Sequence, residues 1–164
     1  MPLSLPVYQE SPQLGQVDIY IPAKIAPQCE QAGPSSQTIL IVDDSSTVRA
    51  VASKSLQKYG YHVITATSGE DALEQIQLSV PGLVLLDIKM TGMDGYEVCK
   101  KIRSNSETRD LPVIMLSGKD AFFDKVRGRL AGCNAYITKP CSANVLRDTA
   151  SQYISAPALA STAN

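Results

Sequence analysis

The chain has 164 residues, 44% hydrophobic and 19% charged, with 15 Lys+Arg against 16 Asp+Glu. That is one ordinary domain of about 100–150 residues plus extra chain, and its apolar content excludes a wholly disordered protein. A net charge of −1 argues against a general polyanion binder, nucleic acid included, because such proteins carry a large basic excess. The longest aliphatic runs, Ile39-Leu40-Ile41-Val42 and Leu83-Val84-Leu85-Leu86, fall far short of the ~20 residues a membrane helix needs. No basic patch followed by an apolar stretch marks a secretory signal at the amino terminus. Cys29, Cys99, Cys133 and Cys141 form no CxxC pair, and His62 is the only histidine, which speaks against zinc. A reduced, soluble, cytoplasmic protein with no nucleic-acid partner and no membrane insertion is expected.

The ends differ from the middle. Residues 1–37 hold six of the ten prolines and close with Ala-Gly-Pro-Ser-Ser-Gln, a Pro-rich extension expected to be largely disordered. Within it, Val17-Asp18-Ile19-Tyr20-Ile21 alternates apolar and polar, as a short edge strand or a docking segment does. Residues 155–164 have no charge and no periodicity and are expected to fray. The folded domain is expected over 38–154.

In that span strand-like and helix-like segments alternate. Thr38-Ile39-Leu40-Ile41-Val42 is the apolar, β-branched run of a strand buried on both faces. Ser45 or Ser46 suits the cap of a helix whose Val48, Val51, Ala52, Ser55 and Leu56 recur at helical spacing, and Gly60 suits its left-handed end. His62 to Ala66 predicts a second strand. Ser68 then caps a helix carrying Ala72, Leu73 and Ile76, with Glu70 and Asp71 in its first turn. Gly82 to Leu86 predicts the third strand, and Gly95 to Ser104 a helix with Val98 and Ile102 inward. Val113 to Leu116 predicts a fourth strand, and Asp120 to Leu130 a helix facing inward through Phe123, Val126 and Leu130. Ala135 to Thr138 and Ala143 to Ile154 complete the series. Five βα units predict a parallel sheet with helices on both faces and right-handed crossovers. Sites in such sheets lie beyond the carboxyl ends of the strands.

At those ends stand Asp43-Asp44 after the first strand, Asp87 after the third, Ser117-Gly118 after the fourth and Thr138-Lys139-Pro140 after the fifth. Taken singly, Asp43 or Asp44 is a helix cap, Asp87 a turn residue and Lys139 a surface charge. Gathered at one rim, three carboxylates repel strongly unless a cation joins them. Oxygen donors without Cys or His suit a hard ion, Mg²⁺ above all. Lys139 suits a phosphoryl anion, and the Ser117 hydroxyl can bond a phosphoryl oxygen. Phosphoryl transfer to a carboxylate needs this combination, because its catalysis is mainly positioning and charge neutralisation.

These residues resemble the receiver domain of bacterial two-component response regulators, the CheY-like family. The matching pieces are Ile41-Val42-Asp43-Asp44-Ser45, Leu85-Leu86-Asp87-Ile88-Lys89-Met90 with Met93-Asp94-Gly95, Met115-Leu116-Ser117-Gly118, and Tyr136-Ile137-Thr138-Lys139-Pro140. The resemblance implies a doubly wound α/β fold, a flavodoxin-like (βα)5 parallel sheet of strand order 2-1-3-4-5. It implies that Asp87 accepts a phosphoryl group from a histidine kinase or phosphotransfer protein. It implies Mg²⁺ held by Asp44, Asp87 and the main-chain carbonyl of Lys89, with Asp43 helping through water. Ser117 and Lys139 are then expected to contact the phosphoryl group, and Tyr136 to act as an aromatic switch. Thr91 stands where the family often has proline, leaving the loop after Asp87 without a fixed φ. Lys89 and Lys119 place ammonium groups where they are expected to alter the lifetime of a phospho-aspartate.

A narrower resemblance, carried by Phe122-Phe123-Asp124-Lys125-Val126-Arg127-Gly128-Arg129, is to receivers of twitching-motility and phototaxis systems, particularly cyanobacterial ones. Phe122, Arg127 and Arg129 fall off the apolar stripe, where a partner patch is expected. Ten residues after Ile154 are too few for a DNA-binding unit, so a single-domain regulator is expected, signalling through the face of the fourth helix, fifth strand and fifth helix. Two rivals share the fold. A Mg²⁺-dependent phosphatase with an aspartyl nucleophile resembles a family with a second acid two residues on, where this chain has Lys89. A flavin carrier needs a phosphate loop without the Asp43-Asp44 pair, which repels phosphate.

Overall fold

The computed structural model describes residues 37–118 and 131–154. Five strands, β1 (Thr38–Val42), β2 (His62–Ala66), β3 (Leu83–Asp87), β4 (Val113–Ser117) and β5 (Ala135–Thr138), form one parallel sheet in the order β2-β1-β3-β4-β5. Around it lie α1 (Ser46–Gln57), α2 (Gly69–Leu78), α3 (Gly95–Ser104) and α4 (Ala143–Tyr153). This is the expected doubly wound, flavodoxin-like architecture. The expected helix over 120–130, with Phe122, Phe123, Arg127 and Arg129, lies outside the described residues, as do Lys119 and the Val17–Ile21 segment.

The strands are apolar throughout because each of their two faces meets a helix layer. Leu40, Val42, Val84 and Leu86 pack toward Ala72 and Ile76 of α2 and Val98 and Ile102 of α3. The alternate residues Ile39, Ile41, Leu83 and Leu85 pack toward Leu56 of α1 and Leu146 and Ala150 of α4. Burying a Leu or Ile side chain contributes about 1.5–3 kcal/mol, so these two layers dominate the stability of the fold. β2 is the exception: it is an edge strand, and of its five residues only Ala66 is buried.

Each described helix begins on a capping side chain. Ser45, rather than Ser46, caps α1 through Val48 N at 3.5 Å, Ser68 caps α2 through Asp71 N at 3.1 Å, and Ser142 caps α4 through Val145 N at 3.3 Å. The Asp71 carboxylate reaches back past its cap to accept from Thr67 N at 2.9 Å, so a reciprocal box with Ser68 does not form. A full capping box forms instead at α3. Asp94 accepts from Glu97 N at 2.9 Å and Glu97 accepts from Asp94 N at 3.1 Å. Gly60 ends α1 with φ of 88°, the left-handed conformation expected of it. One position departs from expectation: Val51, part of the apolar spacing of α1, is 62% exposed, and Ala52 and Leu56 carry the burial.

At the opposite edge from the strand ends, Arg103 clamps the starts of β4 and β5. It donates to Gly132 O at 2.7 Å, Leu111 O at 2.8 Å and Asn134 Oδ1 at 2.7 Å, and Asn134 Oδ1 also accepts from Val113 N at 2.8 Å. Nothing in the local sequence pattern signals this contact.

Candidate metal and phosphoryl site

The parallel register delivers the site. Val42 pairs with Leu86, so Asp43 and Asp87 leave adjacent strands side by side. On the other flank Ser117 pairs with Thr138, so Lys139 leaves β5 one residue beyond the level of Ser117. Ligand atoms of Asp43, Asp44 and Asp87 all lie within 4.8 Å of one another. Asp43 and Asp87 are buried and Asp44 is exposed, as consecutive residues leaving an extended strand point to opposite sides. Lys139 Nζ donates to Asp43 Oδ2 at 2.5 Å and to Asp87 Oδ1 at 2.8 Å, closing the ring from β5.

Charge sets the properties of this cluster. Burial is the main effect on Asp87 and pushes its carboxyl above the usual range. The Lys139 ammonium pulls the other way, and Asp43 and Asp44 push it further up. Burial also works against the charge of Lys139, but its bonds to Asp43 and Asp87 outweigh that and raise its pKa. Three carboxylates thus share one ammonium. The donor set is all oxygen and carries excess negative charge, which fits a hard divalent cation such as Mg²⁺.

Ser117 stands at the end of β4, beside the same rim. Ser117 is 1% exposed and its Oγ has no hydrogen-bond partner among the described residues. A buried hydroxyl left unpaired costs about 1–3 kcal/mol, so the arrangement suits a ligand oxygen that completes it. Its main-chain carbonyl accepts from Lys139 N at 2.6 Å, which locks the two residues together. The Lys139–Pro140 peptide is cis.

Lys89 follows β3 with an exposed side chain, in the 88–95 loop that Gly95 N closes by donating to Ile88 O at 3.1 Å. Tyr136 is turned inward and 1% exposed, packed in the core layer shared by α2 and α3. Burial raises its phenol pKa strongly, and contact with the Cys133 thiol adds to that. The expected acceptor, carboxylates, hydroxyl and ammonium are therefore brought together. Tyr136 lies in the core layer of α2 and α3, and among the described residues the exposed Lys89 side chain makes no hydrogen bond or ion pair.

Two further residues shape the site. Arg49 Nη1 donates to the main-chain oxygen of Asp43 at 2.7 Å, tying α1 to the end of β1. Gly95 backs directly onto the acceptor: a Cβ there would stand 2.4 Å from Asp87 O. A glycine opening a helix just past a strand-end acid is a sequence signal for such a close approach.

Residues 39–151 match the family model described as the response regulator receiver domain. The chain belongs to this family. Receiver domains are signalling modules, and this one is 46% identical over 104 residues to the protein PilG of Pseudomonas aeruginosa, covering 63% of this chain and 77% of PilG. It is 40% identical over 107 residues to the alkaline phosphatase synthesis transcriptional regulatory protein PhoP of Bacillus subtilis, 65% of this chain but only 44% of PhoP. Among solved structures, the chemotaxis protein CheY4 of Vibrio cholerae superposes with a TM-score of 0.68 at 31% identity, over 71% of this chain and 98% of that one. The receiver domain of NtrX from Brucella abortus gives 0.66 at 32%, over 70% and 96%. No helix among the described residues is long and apolar enough to cross a membrane.

Proposed function

We propose that this receiver domain is switched by phosphorylation of Asp87, taken from the phosphohistidine of a histidine kinase or phosphotransfer protein. A carboxylate oxygen of Asp87 attacks phosphorus, the P–N bond to the donor histidine breaks, and an acyl phosphate forms. The reading is carried by one observation, the Lys139 ammonium bonded to both Asp43 and Asp87 beside the unpartnered Ser117 hydroxyl. Lys139 balances the incoming charge, and Ser117 donates to a phosphoryl oxygen. Asp43, Asp44, Asp87 and the Lys89 carbonyl hold Mg²⁺, which when bound neutralises phosphoryl charge and orients the donor.

Tyr136 acts as the aromatic switch: its ring is already turned inward here, and engagement of Ser117 by the phosphoryl group holds it inward, a state read at the face that the resemblance assigns to the fourth helix, fifth strand and fifth helix. A downstream protein docks there. Similarity to PilG and to a chemotaxis CheY, with the Phe122–Arg129 run, supports a place in motility or phototaxis signalling. The folded unit spans 38–154, with 1–37 and 155–164 as appendages.

Incubating the protein with a small phosphodonor and Mg²⁺ is expected to label it, with label lost in Asp87→Ala and strongly reduced when EDTA replaces Mg²⁺. Label persisting in Asp87→Ala would move the acceptor elsewhere and overturn the reading.

A further inference from the structure

The outer surface of α1 carries an apolar groove that the fold leaves open. It has a volume of about 310 Å³ and is lined by Val51, Lys54, Ser55, Lys58, Tyr59 and Ala143. Val51 is the most exposed large apolar side chain of the face, and Tyr59 is fixed beside it. The Tyr59 hydroxyl donates to Asn144 Oδ1 at 3.2 Å, and the Arg147 guanidinium lies 4.9 Å from its ring centre. The rim is basic: Lys54 and Lys58 line the groove, and no acidic residue does.

We propose that this groove is the docking site of the chain's own N-terminal segment, centred on Val17-Asp18-Ile19-Tyr20-Ile21. Three observations select that occupant. The first is chemistry. The segment alternates Val17, Ile19 and Ile21 with Asp18, which suits an apolar floor between lysines. Residues 1–36 as a whole carry Lys24 against Glu10, Asp18 and Glu30, a net charge of −2 facing a basic rim.

The second is reach. The segment joins the domain at Thr38, whose hydroxyl lies 3.4 Å from His62 Nδ1 and whose register partner is His62, directly after the Lys58–Tyr61 turn that ends α1. About 16 residues separate Ile21 from Thr38, a coil spanning roughly 20–24 Å on average. The 12 residues of α1 span about 18 Å. The tether is thus long enough to reach any point along α1, so the segment is presented to the groove intramolecularly.

The third is exclusion of the neighbouring groove. A second cleft of about 300 Å³ lies between α2 and α3, lined in part by Leu73, Val80, Lys101 and Glu107. Its charged lining is one cation, Lys101, balanced by Glu107, whereas the α1 groove has Lys54 and Lys58 and no acid, so an acidic segment is drawn to the α1 groove.

The test replaces Tyr20 of the full chain with the photo-cross-linker p-benzoylphenylalanine and maps products by mass spectrometry. The expected product is an intramolecular cross-link to the 51–59 peptide. Its yield is expected to fall about tenfold with Val51→Asp, an exposed position that leaves the fold intact by circular dichroism. A similar fall is expected with Lys54→Glu/Lys58→Glu, and recovery when Asp18→Lys is added to that pair. Cross-links confined to the 73–108 region, cross-links only between two copies, no cross-link, or a yield indifferent to Val51→Asp would each overturn the proposal.

Discussion

Replacing Asp87 by Asn is expected to stabilise the domain in the absence of divalent cations and to abolish the extra stability that Mg²⁺ confers. With an effective dielectric near 20, the 2.8 Å contact of Asp87 with Lys139 is worth about 6 kcal/mol of attraction. Repulsion from Asp43 within 4.8 Å returns at least about 3.5 kcal/mol, and exposed Asp44 adds about 1 kcal/mol through near-water screening. What remains, about 1–2 kcal/mol of attraction, is smaller than the several kcal/mol it costs to bury an ion. The raised pKa of Asp87, caused first by burial, has the same sign: the folded state disfavours this charge. An isosteric amide removes the penalty but also the attraction, so a net gain of about 1–2 kcal/mol follows, a rise in Tm of roughly 3–8 °C. Mg²⁺ at ten times its Kd adds about 1.4 kcal/mol to the wild type by mass action. It is expected to add much less to Asp87→Asn, which lacks one carboxylate. Thermal unfolding in EDTA and in Mg²⁺ measures both. A wild type more stable than Asp87→Asn in EDTA, or an equal Mg²⁺ gain in both proteins, would refute the idea that the site holds unneutralised charge for a cation.

Four further outcomes are expected. Gly95→Ala brings a methyl group to 2.4 Å from Asp87 O, so the loop must shift, at a cost of about 2 kcal/mol in denaturant melts and with slower labelling of Asp87. Ser117→Ala removes a hydroxyl without partners among the described residues; stability should hold or rise slightly while phosphorylation slows, and an unchanged labelling rate would dismiss its role. If the Lys89 ammonium governs water attack on the phospho-aspartate, Lys89→Asn changes the dephosphorylation rate, and equal rates would remove the idea. Burial pushes the Cys99 thiol up to about 12. At pH 8 its thiolate fraction is then about a thousandfold below that of an ordinary cysteine. Its alkylation in the native protein should be correspondingly slow and climb about tenfold per pH unit, and fast labelling at pH 8 would contradict its burial.

Where a residue's position follows from its place on a strand, sequence is enough. Continuous apolar runs such as Leu83 to Leu86 announce strands covered on both faces, and in a parallel sheet an acid or lysine just past such a run must reach the common rim. Asp43, Asp87, Ser117 and Lys139 were readable for that reason. Apolar spacing on a helix is weaker information, because it gives the stripe without saying which edge of it the neighbours cover: Ala52 and Leu56 are buried, Val51 is not. Contacts between residues far apart in the chain leave no local trace at all. Arg103 reaching Gly132 and Asn134, or Arg49 reaching the carbonyl of Asp43, depends on helix placement that only the packed structure supplies. The Asp43-Asp44 pair joins both cases. Either acid alone fits a helix cap, yet Ser45 takes the cap and the Asp43 carboxylate accepts from Ser45 N at 2.8 Å and from Lys139. The serine frees the two acids for the rim, so the site depends on three consecutive residues dividing between them work that each is able to do alone.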